Sequence, residues 1–329
     1  MAEPLNTERT LALTLAGGGN RAFYQAGLLD AVGDRIRPRL GVVAACSAGA
    51  CVASLHLAGR VEQARDVWKR HVRGMGRNLD PRRLLQGESM APHGRVYWET
   101  MVEVMGDGGL GEIQALPFPL LVLTTAFSER APALAAITLG LGAYNLEKRL
   151  RPRSLHPTFG RRLGFSPKVF DARECTTAEE LADLILASSA TPPFTPVGRF
   201  RGHRLLDGGV IDNVPAFVAE ELPGIRRNLI VLTRPYPHGV LGRRGRRLYI
   251  GPTRETPISR WDNTRPELLD ATIDMGRAEA RIHRSQIDAL LSDSGPLSDG
   301  PASTIDVGMP DVAAPAEVSS SAAAEPIRG

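Results

Sequence analysis

A serine, an aspartate and a run of glycines carry the residue types that acyl-transfer chemistry needs. Ser47 lies in Ala45-Cys46-Ser47-Ala48-Gly49, after an apolar run over 40–45 and before a stretch of Ala, Val and Leu. That pattern reads as a buried strand, a sharp turn with Ser47 at its tip, then a helix. Such a turn lifts a hydroxyl out of the backbone and aims it into a cleft. It also sets the hydroxyl at a helix N-terminus, where unpaired N–H groups favour negative charge. The usual pattern is G-x-S-x-G. Here Ala45 takes the first glycine position and Gly49 the second. A serine before a helix is also the ordinary choice for an N-cap, so the turn alone does not settle the role.

Gly17-Gly18-Gly19-Asn20-Arg21 follows the first strand. Glycines there let the backbone turn so that N–H groups point into a cleft. Such groups, converging near Ser47, would stabilise the oxyanion of an acyl-transfer intermediate. Gly17, Gly19 and Ala22 also satisfy the dinucleotide turn G-x-G-x-x-A. That reading wants an acid at the end of the second strand to hold a ribose, and Ala45-Cys46-Ser47 stands there instead.

A serine hydroxyl is a poor nucleophile until a base takes its proton. None of the seven histidines lies in a motif that marks it as that base, and His203 reads as a strand start. Asp207-Gly208-Gly209 is the better source. An apolar strand ends in Asp207, and the two glycines turn the chain away, leaving a carboxylate at a strand end, where α/β proteins keep their sites. In a dry cleft that carboxylate could accept the serine proton directly. Asp-Gly turns are common for structural reasons too. Asp107-Gly108-Gly109 repeats the tripeptide in a Gly-rich loop with no strand before it, and reads as a decoy. Asp212 and Asn213 read as caps for the next helix, with Pro215 in its first turn.

The elements that must position these groups alternate. Strands are expected at 11–15, 40–45, 119–126, 168–171, 203–206 and 229–233. Helices are expected at 21–34, 48–57, 61–71, 95–105, 177–188 and 266–291, with a loop or short turn over 81–87. Strand-helix alternation predicts an α/β sheet with helices on both faces. Residues 134–146 form an apolar helix candidate followed by Lys148, Arg149, Arg151 and Arg153. It reads either as a core helix with a basic last turn or as a lid for acyl chains and phosphate head groups. The basic run Arg243–Arg247 reads as a solvated loop first and as a phosphate or membrane contact second.

At 329 residues the chain can bury a large core. No apolar run reaches the roughly 18 residues of a spanning helix. The polar, acid-bearing first ten residues do not read as a secretory signal. Three cysteines make no disulfide framework, which fits a reducing compartment, and a cytoplasmic, membrane-peripheral location is expected. A net charge of +4 and a pI near 9.2 fit weak attraction to an anionic membrane surface and do not mark a nucleic-acid binder. After residue 291 the chain turns to Ala, Ser, Pro and Gly. The expected organisation is an N-terminal extension over 1–9, one domain over 10–291 and a disordered tail over 292–329.

The glycine turn, the Ser47 turn, Ala187-Ser188-Ser189-Ala190-Thr191-Pro192 and Asp207-Gly208-Gly209, in that order, resemble the patatin-like phospholipases. Arg260-Trp261-Asp262 and the helix after it are similar to bacterial members. The resemblance implies a three-layer α/β/α sandwich with a mostly parallel central sheet. It also implies a lipid acyl hydrolase that uses a Ser–Asp dyad, with no metal, cofactor or catalytic histidine. By position, Ser47 is then the nucleophile and Asp207 the base. The N–H groups of Gly17, Gly18 and Gly19 form the oxyanion hole, and Arg21, Gly49, Gly208 and Gly209 support the site. Substrates would be phospholipids or related acyl esters. Ala45 and Ala22 depart from the family's glycines and add a Cβ in tight places. They keep open a second reading, a lipid-binding or regulatory protein with weakened catalysis. An acyl-carrier transferase, whose chemistry uses a similar turn, would want a histidine base.

Overall fold

The computed structural model describes residues 9–79, 93–127, 142, 155–156, 163–192, 194–237 and 239–292. The loop expected at 81–87, nearly all of the apolar candidate at 134–146, and the tail beyond 292 lie outside them.

In chain order the elements are β1 (Leu11–Leu15), α1 (Phe23–Ile36), β2 (Leu40–Cys46), α2 (Ala48–Leu57), α3 (Val61–Val72), α4 (His93–Val104), α5 (Leu110–Gln114), β3 (Leu120–Ala126), β4 (Ser166–Asp171), α6 (Ala178–Ser188), β5 (Gly198–Phe200), β6 (His203–Asp207), α7 (Gly209–Asp212), α8 (Ala216–Glu220), β7 (Arg227–Val231), β8 (Gly242–Arg244), β9 (Arg247–Ile250) and α9 (Glu267–Ser292).

The sheet order is β5-β6-β3-β2-β1-β7-β9-β8, with β4 also on β3. Its centre is parallel: β1 pairs with β2 and β7, β2 with β3, and β7 with β9. Antiparallel pairs finish both sides. Because the central strands are covered on both faces, they read as near-continuous apolar runs. Leu11, Leu13 and Leu15 of β1, with Val43 and Ala45 of β2, pack into the core that holds α1, α2, α4 and α6. Ala12, Val42, Ala44 and Cys46 face the other layer, with Val210 and Ile211 of α7 and Val218 and Ala219 of α8. These layers make an α/β/α sandwich.

Three expectations need correction. The basic run Arg243–Arg247 is not a loop. It turns at Gly245 (φ +56) between β8 and β9, and Arg246 and Arg247 both ion-pair with the buried Glu220. Pro215, not Asp212 or Asn213, holds the N-cap position of α8, and no side chain caps that helix. Asp212 instead accepts the N–H of Val214 at 2.8 Å. Lastly, β5, β8 and β9 are short strands that the alternation did not mark.

Among the described residues no helix is long and apolar enough to cross a membrane.

Candidate active site

The site is made where two strands meet head on. β4 pairs along one edge of β3 over residues 121–126, so β2 and β6 must share the other edge. β2 climbs parallel to β3 and ends with Cys46 opposite Leu123. β6 descends antiparallel and ends with Asp207 opposite Thr124. The two strands therefore stop one register position apart, and Ser47 and Asp207 are the residues at the junction. The chain leaves Asp207 through Gly208, whose hypothetical Cβ would lie 2.3 Å from the Leu123 carbonyl oxygen and 2.9 Å from Cys46 Cβ. Only glycine passes there, which gives the Asp-Gly-Gly run its reason.

Ser47 has φ +52 and ψ −135, a region that non-glycine residues rarely adopt. Such a conformation stores on the order of 1–3 kcal/mol and persists only where its surroundings fix it. Those surroundings are explicit. The Ser47 N–H donates to the buried Ser188 hydroxyl at 2.7 Å, and that hydroxyl donates to the Leu123 carbonyl at 2.7 Å. The Ser47 carbonyl accepts from Ala50 at 2.9 Å inside the first turn of α2. Gly49 lets α2 cross β1, since a Cβ there would come within 2.6 Å of the Leu15 carbonyl oxygen.

Ser47 occupies the N-cap position of α2, yet its side chain caps nothing. The hydroxyl instead lies close enough to the Asp207 carboxylate to help hold its proton affinity down. Asp207 also accepts the Gly209 N–H at 2.7 Å, and its own N–H donates to the Ala190 carbonyl at 2.8 Å. Both side chains belong to residues that are 5% exposed. Burial raises the Asp207 carboxyl above its ordinary 3.8. The charge of Arg260, the Gly209 N–H and the nearby Ser47 hydroxyl only partly offset that rise. The effect is a carboxylate more basic than an exposed one.

The glycine turn abuts the same spot, since a Cβ on Gly17 would lie 3.1 Å from Ser47 Cβ. Its three N–H groups are not equivalent. Gly17 donates to the Asn213 carbonyl at 3.0 Å, and the Gly17 carbonyl accepts from the Asn213 amide and the Thr233 hydroxyl. Gly17 is thus fixed as framework. Gly18 and Gly19 have no hydrogen-bond partner for their N–H groups among the described residues. Asn20 is buried and ties the turn to the loop at 260–263: its N–H donates to the Arg260 carbonyl and its amide to the Asp262 carbonyl. Arg21 donates to the Gly18 carbonyl at 3.3 Å. Ala22 and Ala45, where glycine is usual, sit fully packed in the core.

Sequence reasoning missed three contributors. Asn213, expected as a cap, holds Gly17. Ala48, first in α2, carries one of the orphan N–H groups of a helix start beside Ser47, a signal implicit in the strand-turn-helix pattern. His156, which no motif marks, bonds Asp212 at 2.7 Å and the Tyr249 hydroxyl at 3.1 Å. Asp107 is exposed in the irregular turn between α4 and α5 and is held by Arg60 and Gln63.

Comparison with known proteins follows the same lines. Curated protein sequences contain no match to the chain. Among solved structures it is similar to VipD from Legionella pneumophila, with 14% identity over 86% of this chain and 67% of that one, at a TM-score of 0.43. It is also similar to human GIVD cytosolic phospholipase A2, with 14% identity over 70% of this chain, at a TM-score of 0.31. It spans 46% of that human chain. The family model of the patatin-like phospholipases matches residues 13–220. That match begins inside β1 and ends with α8, taking in the glycine turn, Ser47, Ser188 and Asp207 together. The chain belongs to the patatin-like phospholipase family.

Proposed function

We propose that this protein is a serine acyl hydrolase that cleaves esters of phospholipids or related acyl lipids, with Ser47 as nucleophile and Asp207 as general base. Family membership supports the lipid acyl hydrolase class. The observation that carries the finer reading is the Ser47 side chain: it leaves the helix start uncapped and stands at the strand junction with the buried Asp207 carboxylate.

Asp207 takes the hydroxyl proton as Ser47 Oγ attacks the ester carbonyl. The carbonyl oxygen becomes an oxyanion and accepts the N–H groups of Gly18 and Gly19. Collapse breaks the bond to the alcohol, which leaves with the proton from Asp207, and the acyl group stays on Ser47. Water then loses a proton to Asp207 and attacks the acyl-enzyme, and collapse releases the fatty acid while Asp207 returns the proton to Ser47 Oγ. Net charge of +4 supports weak peripheral attraction to an anionic lipid surface.

A fluorophosphonate should label Ser47, located by mass mapping. Ser47→Ala and Asp207→Asn should each abolish release of p-nitrophenol from a medium-chain ester. Turnover surviving in both variants would overturn the mechanism.

A further inference from the structure

Arg260 stands over the glycine turn. Its carbonyl accepts the Asn20 N–H at 3.1 Å, and a Cβ on Gly19 would lie 2.7 Å from Arg260 Cγ, so the side chain sets out from the turn itself. The guanidinium carbon then lies 4.8 Å from the ring centroid of Trp261. Trp261 in turn stacks on Phe194, with centroids 5.8 Å apart and planes 30° apart. Phe194 lies on the stretch that joins Ser188 to Asp207, so both ends of this ladder of cation, indole and phenyl are anchored in the site.

Among the described residues no acid forms an ion pair with this cation. Neighbouring Arg265 is paired with Asp262, and Arg246 and Arg247 with Glu220. Arg260 has no ion pair among the described residues, and its Nε is shielded from solvent without a hydrogen-bond partner. A half-buried guanidinium with an unmet donor is matched by a planar or tetrahedral oxyanion that takes two of its N–H groups. Its charge is felt at Asp207.

We infer that Arg260, Trp261 and Phe194 form an anion-reading subsite that favours esters whose leaving alcohol carries a phosphate. This rests on the hydrolase reading above. In that reading Asp207 protonates the departing alcohol, and Arg260, rooted against Gly19 of the glycine turn, is near enough for its charge to act on Asp207. The phosphate is therefore borne by the alcohol, and the two rings supply an apolar wall for the carbon chain beside it.

The test compares dihexanoyl phosphatidic acid with dihexanoylglycerol, which lacks the phosphate. In Arg260→Gln the ratio of kcat/KM for the anionic over the neutral ester should fall at least tenfold, and Arg260→Lys, which keeps the charge but loses the planar fork, should fall between Arg260→Gln and wild type. Any change in Asp207 basicity acts on both esters and cancels in the ratio. An unchanged ratio in Arg260→Gln would overturn the subsite. A binding arm works without turnover. In Ser47→Ala protein, the calorimetric Kd for monomeric dihexanoyl phosphatidic acid should rise at least tenfold when Arg260→Gln is added, and an unchanged Kd also overturns the proposal. Inorganic phosphate should bind at least a hundredfold more weakly than the lipid; equal affinity would mean a free-phosphate site and overturn the lipid reading. Failure of the hydrolase reading shows separately, as absent fluorophosphonate labelling of Ser47.

Discussion

The backbone N–H of Ser47 donates to the hydroxyl of Ser188 at 2.7 Å, and the Ser188 hydroxyl donates its own hydrogen bond to the Leu123 carbonyl. The Ser188 carbonyl meanwhile accepts the N–H of Gly208 at 3.1 Å. One fully buried residue at the end of α6 therefore holds the serine turn, β3 and the start of the Asp207 loop in a single register. It acts through Ser47 and Asp207, and so it is a positioning residue.

Removing its hydroxyl strands a buried N–H and a buried carbonyl, at a cost of about 1–3 kcal/mol for each unsatisfied group. The strained φ of Ser47 then loses the bond that opposes its relaxation. Ser188→Ala should lower kcat for a p-nitrophenyl ester about 10- to 100-fold while KM moves less than threefold, and it should slow fluorophosphonate labelling in parallel. Ser188→Cys, with a weaker donor and acceptor, should fall between. A lower Tm with wild-type kcat would reduce Ser188 to a purely structural role.

Gly208 carries a second prediction. A methyl group there meets backbone at 2.3 Å, and a backbone oxygen in a paired strand has nowhere to go. Gly208→Ala should cost about 3 kcal/mol of stability, as overpacking does, and should separate Asp207 from Ser47. Gly111 in α5 has open space around its Cβ position and an ordinary φ, so Gly111→Ala is the control. It should leave stability unchanged or raise it by up to about 1 kcal/mol. Denaturant midpoints of the two variants decide the matter.

Much of this site was legible because its signals are local. Small residues around Ser47, a glycine run after an alternating strand, and an apolar run closing on Asp207 each sit within a dozen residues. The head-on meeting of β2 and β6 was not legible, because it depends on which edge of β3 each strand takes, and no residue in either strand encodes that choice. Asn213 looked like a cap because its partner, Gly17, lies 196 residues away. Arg260 stood out only within Arg260-Trp261-Asp262, a likeness to bacterial family members that does not tell which turn its side chain packs on. The β8–β9 hairpin hid because its arginines read as solvated, whereas Glu220, whose side chain is 5% exposed, neutralises Arg246 and Arg247 from α8.

The raised carboxyl of Asp207 fixes a pH dependence. Its proton leaves only above the ordinary carboxylate range, because burial dominates. The base is idle while protonated, so kcat/KM should rise with pH through that raised value. Arg260 pulls the value down, and Arg260→Gln should therefore move the acid limb to higher pH. Stability runs the other way. The unfolded chain keeps the ordinary value, so between the two values the native state binds more protons, and its stability falls as pH rises across that window. Asp207→Asn should lack this slope. An acid limb that stays in place in Arg260→Gln would break the link between the two residues.

The last prediction concerns α9, which lies beyond the matched residues 13–220 yet packs on the first helix of the sandwich. A Cβ on Gly27 of α1 would meet the Ile273 carbonyl oxygen at 1.9 Å, and one on Gly276 of α9 would meet the Tyr24 carbonyl oxygen at 2.2 Å. Two glycines thus bring the helix backbones into contact. Beside them the buried Tyr24 hydroxyl donates to Glu279 at 3.1 Å. Gly276→Ala must push the helices apart and stretch that bond, so it should cost about 3 kcal/mol. Gly27→Ala should cost a similar amount. The double variant should cost less than the sum, because the first methyl already opens the space that the second needs. Urea midpoints for the four proteins measure this coupling. Strict additivity would mean that each helix absorbs its own methyl without moving the other.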